Sequence, residues 1–581
     1  MNNEKEVMVN ANSRVGLSLS LMLFTVLNLF AVVPTYSRAG RMLEGRAIWA
    51  HPNDVARNMK SVEEFVAHCK RAHINLIIFL VKDTQGRIYW HSRWFSECIH
   101  PDWQKFDALK AIIREAHKKG IRVHAWLCDF TEGEDSPAYK EHPEWAMLNP
   151  EGKPTTSEML GKDRPYKIVW MCPNRRPGYV DRWLLPMIEE ILRNYNVDGI
   201  HHDYVRYPGD VAPDNYCFCD HCLEDYMRYN HFYYETFPRA RFHPEPTLPN
   251  YIANWWKDYT VKPQGWEGMT QKEKANFILK GSSMSGGPPD LDYFFYEQRC
   301  DATTRFVRKA WQMAKKLKPR IQFSAAVFKN PMLSGRNIGQ RWTDFAPWID
   351  VMMPMCYRSH FTGDFATYLG LLTEYTQYEN MWAANNCHVY VGITAHYIYK
   401  EEYEPLNNIR ATLSEIQHNP LKNIEECNKQ IQENYSKIKV HLASVNANLE
   451  NEMSNLIEKL TQEIDTTRWS QIAAKLDQKI LNLLRDPPQG YYPEDKLIKS
   501  INAVRRGGGE GIAIFAAGHI KQKKLWPALE KAFKRPSRDP DVVKPLGIQK
   551  LRRQLISAQD WAKAISIASV ITIVSVTFLI Y

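Results

Sequence analysis

The densest group of ionisable and aromatic residues in this chain is Asp198-Gly199-Ile200-His201-His202-Asp203-Tyr204-Val205-Arg206-Tyr207-Pro208. A short apolar segment breaks at once into polar residues, and Pro208 closes it. Buried parallel strands that run out into a loop carrying chemistry read this way. Side chains alternate along a strand, so His201 and Asp203 share one face while His202 and Tyr204 share the other. An acid at the end of such a strand is a candidate general acid or nucleophile, its pKa set by burial and by a neighbour such as His201. The competing reading is a buried carboxylate neutralised by Arg206 or a histidine.

Other strand ends supply candidate partners for it. Trp49 and His51 follow the first strand, Asp83 the second, and Trp126 and Asp129 the third. Lys329, Tyr357, His396 and His519 follow the later ones. Glycosidic cleavage ordinarily uses two carboxyl groups, about 5 Å apart for retention and up to about 9 Å for inversion. Neighbouring strands lie about 4.8 Å apart, so Asp203 with Asp129 or Asp83 meets that requirement. Aromatic faces suit sugar rings, and Trp49 and Trp126 are placed to stack on one. A metal held by His201, His202 and Asp203 is the rival chemistry, although adjacent histidines on a strand face opposite sides. A second compact group is Cys217-Phe218-Cys219-Asp220-His221-Cys222. Cys217, Cys219, Cys222 and His221 form a candidate structural zinc set that would brace the loop after the central strand. Catalysis in this reading needs no cofactor.

Such strand ends act together only on a scaffold that gathers them to one side. Strand-like runs at 44–50, 75–81, 121–127, 197–203, 321–328, 349–353, 388–394 and 511–516 alternate with helical patterns. Eight such units predict a closed parallel (β/α)8 barrel, a TIM barrel, whose active groups lie at the C-terminal ends of its strands. No glycine fingerprint follows the first strand, which argues against a dinucleotide-binding sheet. The barrel is expected over 41–403 and 490–540, interrupted by a helical insertion at 404–489. Within it, 421–484 reads as a long amphipathic helix broken near Asp465, either packing on itself or forming a coiled-coil arm for self-association.

The formal charge of +10 is spread without a basic block, so nucleic-acid binding is not expected. The eleven cysteines, an odd count scattered through strands and helices, do not resemble a disulfide framework. Two apolar runs frame the chain. Residues 15–33 within 1–40 read as a signal peptide or signal anchor, and 564–581, after a basic linker in 541–581, as a transmembrane tail. The expected location is therefore exported and membrane-anchored.

The segments Arg46-Ala47-Ile48-Trp49, Asp198 to Pro208 and Asp350-Val351-Met352-Met353-Pro354-Met355-Cys356-Tyr357 resemble the bacterial glycosyl-hydrolase-like family ten. The resemblance covers roughly 44–400 and resumes at 500–535. It implies a barrel glycosidase of the cell envelope, some relatives of which act on peptidoglycan glycan strands. It also implies Asp203 and His201 in the active cleft and a family arginine at Arg299. Tyr204, Tyr357 and Arg299 would then position the sugar, with Asp83 nearby. The central motif is also similar to the chitinase pattern, but His201 and Val205 stand where that pattern has its middle aspartate and catalytic glutamate. The expectation is a glycoside hydrolase acting on an envelope or environmental polysaccharide. Its alternatives are a non-catalytic glycan-binding barrel and a metal-dependent polysaccharide deacetylase.

Overall fold

The computed structural model describes residues 42–154, 168–209, 216–224, 265–284, 291–418, 424–463 and 465–547. Eight parallel strands close a barrel: β1 (Gly45–Ala50), β2 (Leu76–Lys82), β3 (Arg122–Cys128), β4 (Gly199–Asp203), β5 (Gln322–Val327), β6 (Val351–Pro354), β7 (His388–Thr394) and β8 (Gly511–Phe515). Each pairs with its successor, and β8 closes on β1 through Gly511 opposite Gly45. Every strand residue except Arg122 and Phe515 is buried. Strands covered on both faces must be apolar nearly throughout, which is why these runs could be read from the sequence.

Helices cover the outside. The helix Met59–Arg71 is capped by Asn58, whose side chain accepts from the Ser61 N–H while Ser61 Oγ accepts from the Asn58 N–H. Asp107 caps Ala108–Lys118 in the same way. Leu185–Asn194, the long helix Leu291–Leu317 and Phe365–Ala383 cover the later strands.

The N-terminal end of the barrel is plugged. The Tyr390 ring of β7 occupies the floor, and neither Gly45 nor Gly511 could carry a side chain beside it. A Cβ at Gly45 would lie 2.2 Å from that ring, and one at Gly511 2.5 Å. The Tyr390 hydroxyl donates to Asp539 Oδ1 at 2.7 Å. Asp539 and Asp541 also accept from Arg122 and Gln322. The expected domain end at 540 therefore needs correction: the helix Pro540–Val543 belongs to the barrel's closure rather than to a linker. His388 Nε2 against the Lys544 carbonyl extends that closure.

The insertion differs from a single long helix. Lys400–His418, Ile424–Val445, Ala447–Gln462 and Thr466–Arg485 pack as a four-helix bundle in which each contacts its neighbours and the last returns to the first. Asp465 caps the last helix at the expected break. The unexpected break is at Asn446, whose side chain caps Ala447–Gln462 while the apolar spacing runs on across it. Of the two readings of the stripe, packing on itself is the one found: Ile431, Ile438, Leu442, Met453 and Leu460 are buried inside the bundle.

No helix among the described residues is long and apolar enough to cross a membrane. The apolar runs at 15–33 and 564–581 lie outside the described residues.

Gly45→Ala drives a methyl group into the Tyr390 ring, and overpacking of this kind costs about 1–3 kcal/mol. The denaturation midpoint of the variant should fall accordingly, and an unmoved midpoint would remove this account of the barrel floor.

Candidate active site

The interior of the barrel carries a column of hydrogen bonds whose direction can be assigned. Trp49 Nε1 lies 3.1 Å from His201 Nε2, and an indole N–H can only donate. His201 Nε2 is therefore the acceptor and Nδ1 holds the proton, which faces Ser324 Oγ at 2.9 Å. The serine hydroxyl passes its own proton to His124 Nδ1 at 2.9 Å. His124 Nε2 then donates to Gln322 Oε1 at 3.2 Å. Burial, followed by the charge of Arg122, pushes the His124 pKa down to about 4. Burial likewise lowers that of His201, with His124 and His202 adding to it. Both imidazoles are neutral.

His201 is fully buried, and both its nitrogens are committed below the mouth. The expected catalytic role in the cleft is corrected: it is a strut. The same holds for the two tryptophans. Trp49 is 1% exposed and Trp126 3%, meeting each other's neighbours His201 and Phe515 edge-on, so no open face remains for a sugar to stack on.

Asp203 lies two residues further along the same face of β4, at the open end. Its Oδ1 accepts from the Tyr204 N–H at 2.7 Å and from Arg206 Nη1 at 3.2 Å. Oδ2 accepts no hydrogen bond among the described residues. The local backbone explains the arrangement. Tyr204 adopts φ 52°, a left-handed conformation that costs a non-glycine residue about 1–2 kcal/mol and turns its N–H back onto Asp203. Arg206 is held in turn, its guanidinium 4.3 Å from the Tyr204 ring, 5.2 Å from Phe328 and 6.0 Å from Trp170. Arg206 and Trp170 were not among the expected site residues, although Arg206 stands three positions after the acid in the motif itself.

The expected second carboxylates are elsewhere. Asp129 is fully buried, and its Oδ2 lies 2.8 Å from Nδ1 of His202, behind the barrel wall. Burial raises its pKa, opposed by His202. His202 packs against Phe306 and Phe323 on the outer face of β4, so it cannot share an ion with His201. That removes the ligand set expected for a metal-dependent deacetylase. Asp83 closes its own turn, accepting from the Gln85 and Arg87 N–H groups and from the Tyr89 hydroxyl. Arg299 is 2% exposed, faces Tyr207 and donates to the Arg336 and Asn337 carbonyls. It supports the loop from behind rather than reaching a substrate.

Tyr204 and Tyr357 do border the mouth, both half-buried. The Tyr357 phenol is pushed upwards by burial first and then by the charge of Asp203. Facing them is His51, whose ring contacts Trp126 and Phe515. Burial lowers the His51 pKa to about 4, against the pull of Asp203. Its Nδ1 lies 3.8 Å from Asp54 Oδ2, and burial raises the Asp54 pKa. Asp54, on a short helix rather than a strand end, escaped a search confined to strand ends.

The cysteine group also differs from expectation. The four thiols that lie together are Cys172, Cys217, Cys219 and Cys222, within 4.8 Å of one another. His221 is not among them, and Cys172 takes its place from a segment 45 residues before Cys217.

Comparison with known proteins bears on what this barrel is. The family described as "hypothetical glycosyl hydrolase 6" matches residues 61–204, the stretch from the first barrel helix to the end of β4 and Tyr204. Glycosyl hydrolase DigH of Escherichia coli K12 is 23% identical over 194 residues, 29% of this chain and 39% of DigH. Over residues 61–204 the chain is similar to glycosyl hydrolases. Family six is the one matched, where the motifs resemble family ten, and the chain spans 39% of the length of the curated relatives it matches. Among solved structures, the PgaB (BpsB) glycoside hydrolase domain of Bordetella bronchiseptica is similar over 84% of this chain and 99% of its own, at 10% identity and TM-score 0.48. The β-galactosidase of Rahnella sp. R3 is similar over 64% and 49%, at 14% identity and TM-score 0.41.

The neutral histidine column has a consequence for stability. Below the ordinary histidine value of 6.5 the unfolded chain takes up protons that folded His124 refuses until about pH 4. Stability should therefore fall as pH drops from 6.5 towards 4, by about 1.4 kcal/mol per pH unit for each such histidine. Denaturant melts of His124→Gln should show a slope shallower by about one proton over that range. An unchanged slope would contradict the assignment.

Proposed function

We propose that the chain hydrolyses glycosidic bonds in a polysaccharide, with Asp203 acting at the anomeric carbon directly or through water. The observation that carries this reading is the one-sided hold on Asp203. One oxygen is fixed by Arg206 and the Tyr204 N–H, and the other, at the open end of the barrel, accepts no hydrogen bond among the described residues. A carboxylate meant only to neutralise Arg206 has no need of a strained residue beside it. Asp54 is the natural second carboxyl, because its raised pKa keeps a proton on it at higher pH than an ordinary aspartate, as a general acid requires. His51, neutral above about pH 4, stands beside Asp54 and within the field of Asp203. Tyr204 and Tyr357 supply hydroxyl groups and ring edges for the sugar.

The substrate class is a polysaccharide of the cell envelope or the surroundings, and peptidoglycan glycan strands come first in testing. The apolar runs at 15–33 and 564–581 support an exported, membrane-anchored protein facing such a polymer. A glycan-binding barrel without catalysis is the second reading, favoured by the Arg206–Asp203 ion pair, which is nearly closed to solvent at 10% and 11% side-chain exposure.

The test is reducing-sugar release by the full-length protein from a glycan panel that includes peptidoglycan strands. Asp203→Asn should lower the rate by about 10²–10⁴-fold, and Asp54→Asn should remove the limb of the pH profile that belongs to the acid. Equal rates from wild type and Asp203→Asn would take Asp203 out of the mechanism. Glycan binding by both proteins without product would select the binding reading.

A further inference from the structure

The cysteine cluster has a geometry that packing does not require. Cys172, Cys217, Cys219 and Cys222 are buried, and their sulfur atoms all lie within 4.8 Å of one another. Two of the separations are 3.4 Å, Cys172 to Cys222, and 3.9 Å, Cys172 to Cys219. Zinc bonded to four thiolates at about 2.3 Å in a tetrahedron sets its sulfur atoms about 3.8 Å apart. A disulfide would bring two sulfurs to about 2.05 Å and leave the other two aside. Here four are grouped about one centre.

The surroundings are those of a structural metal site. Four buried thiols supply a full tetrahedral ligand set, as in structural rather than catalytic zinc centres. Asn174 Nδ2 lies 3.7 Å from Cys222 Sγ and points its N–H at the sulfur, the kind of outer-shell contact that orients a thiolate ligand. Cys217, Cys219 and Cys222 come from one short segment, the last of them on a helical turn, while Cys172 comes from a segment tied by its own N–H to the Trp145 carbonyl at 2.7 Å. The Phe218 N–H bonds the Leu148 carbonyl at 2.8 Å, so the cluster sits where these strands of chain already meet.

We infer that these four cysteines bind a single structural Zn²⁺ that clasps the 216–224 loop to the segment after Ile168–Trp170. The clasp lies beside the mouth. Trp170, two residues before Cys172, faces the Tyr204 ring at 5.7 Å and the Arg206 guanidinium at 6.0 Å, the two groups that set the Asp203 carboxylate. The metal holds one wall of the cleft and takes no part in bond cleavage.

Metal analysis of the full-length protein purified without added metal tests this directly. One zinc per chain is expected, released by a mercurial thiol reagent in step with titration of four thiolates. Replacement by Co²⁺ should give the intense visible and near-ultraviolet bands of tetrahedral cobalt thiolate, a readout independent of any activity. Cys172→Ser and Cys219→Ser should each lose the zinc and the cobalt spectrum, whereas His221→Ala should keep both. Should the serine variants fail to fold, the mercurial release on wild type still decides. A metal-free protein with four free thiols, a disulfide found by mass analysis within the set, iron in place of zinc, or loss of metal in His221→Ala would each overturn the inference.

Discussion

The structure depends on a polar column where a barrel of this size ordinarily stacks apolar layers. Trp49 donates into the column, His201, Ser324 and His124 each accept one hydrogen bond and donate the next, and Gln322 accepts the last, in an order fixed by an indole that can only donate. A buried polar group left unpaired costs about 1–3 kcal/mol, so every member constrains the strand that carries it. The column joins β1, β4, β5 and β3 and must end on an acceptor. Gln322 provides it, and Gln322 is itself anchored by Asp541. The chain returns after β8 to plug the barrel: without Asp539 and Asp541, Arg122, Gln322 and Tyr390 would each lose a carboxylate partner.

The fold was legible in the sequence because a strand covered on both faces leaves an unbroken apolar run, and eight such runs interleaved with helices admit few closed arrangements. The depth of each side chain was not legible. A strand rises about 3.3 Å per residue, so Trp49 and His201, two positions short of the mouth, lie about 6.6 Å below it and cannot reach a substrate. Asp129 failed for a second reason: it turns outward to His202, and the turn after a strand does not continue the strand's alternation. Arg206 was legible as Asp203's neighbour, yet its stacking on Tyr204, Phe328 and Trp170, which makes it an orienting group, depends on three separate segments.

Long-range convergence defeated the sequence in two further places. Cys172 stands in a Met-Cys-Pro-Asn context with no spacing signal, and only the antiparallel pairing of Ile168–Trp170 with Thr131–Gly133 brings it to the loop of the other three. In the insertion, apolar residues keep their spacing across Asn446, so periodicity alone predicts one long helix. The Asn446 side chain ends that helix by capping the next one, and the two arms fold back to cover each other's stripe.

The column also decides which groups can move protons at the mouth. His201 is the histidine nearest Asp203 in sequence, but its lone pair is taken by Trp49 and its proton by Ser324, and burial keeps it neutral. The polar column therefore stops one layer beneath the cleft and hands nothing to Asp203. The groups that feel the charge of Asp203 lie just past β1 and β6: His51, which is paired with Asp54, on one side and Tyr357 on the other. Within this set burial raises the Asp54 pKa and lowers that of His51 to about 4, while the Tyr357 phenol is pushed upward. A barrel built around neutral, fully bonded histidines thus keeps its shape with residues below the mouth, and Asp203, whose Oδ2 accepts no hydrogen bond among the described residues, stands at the open end beyond them.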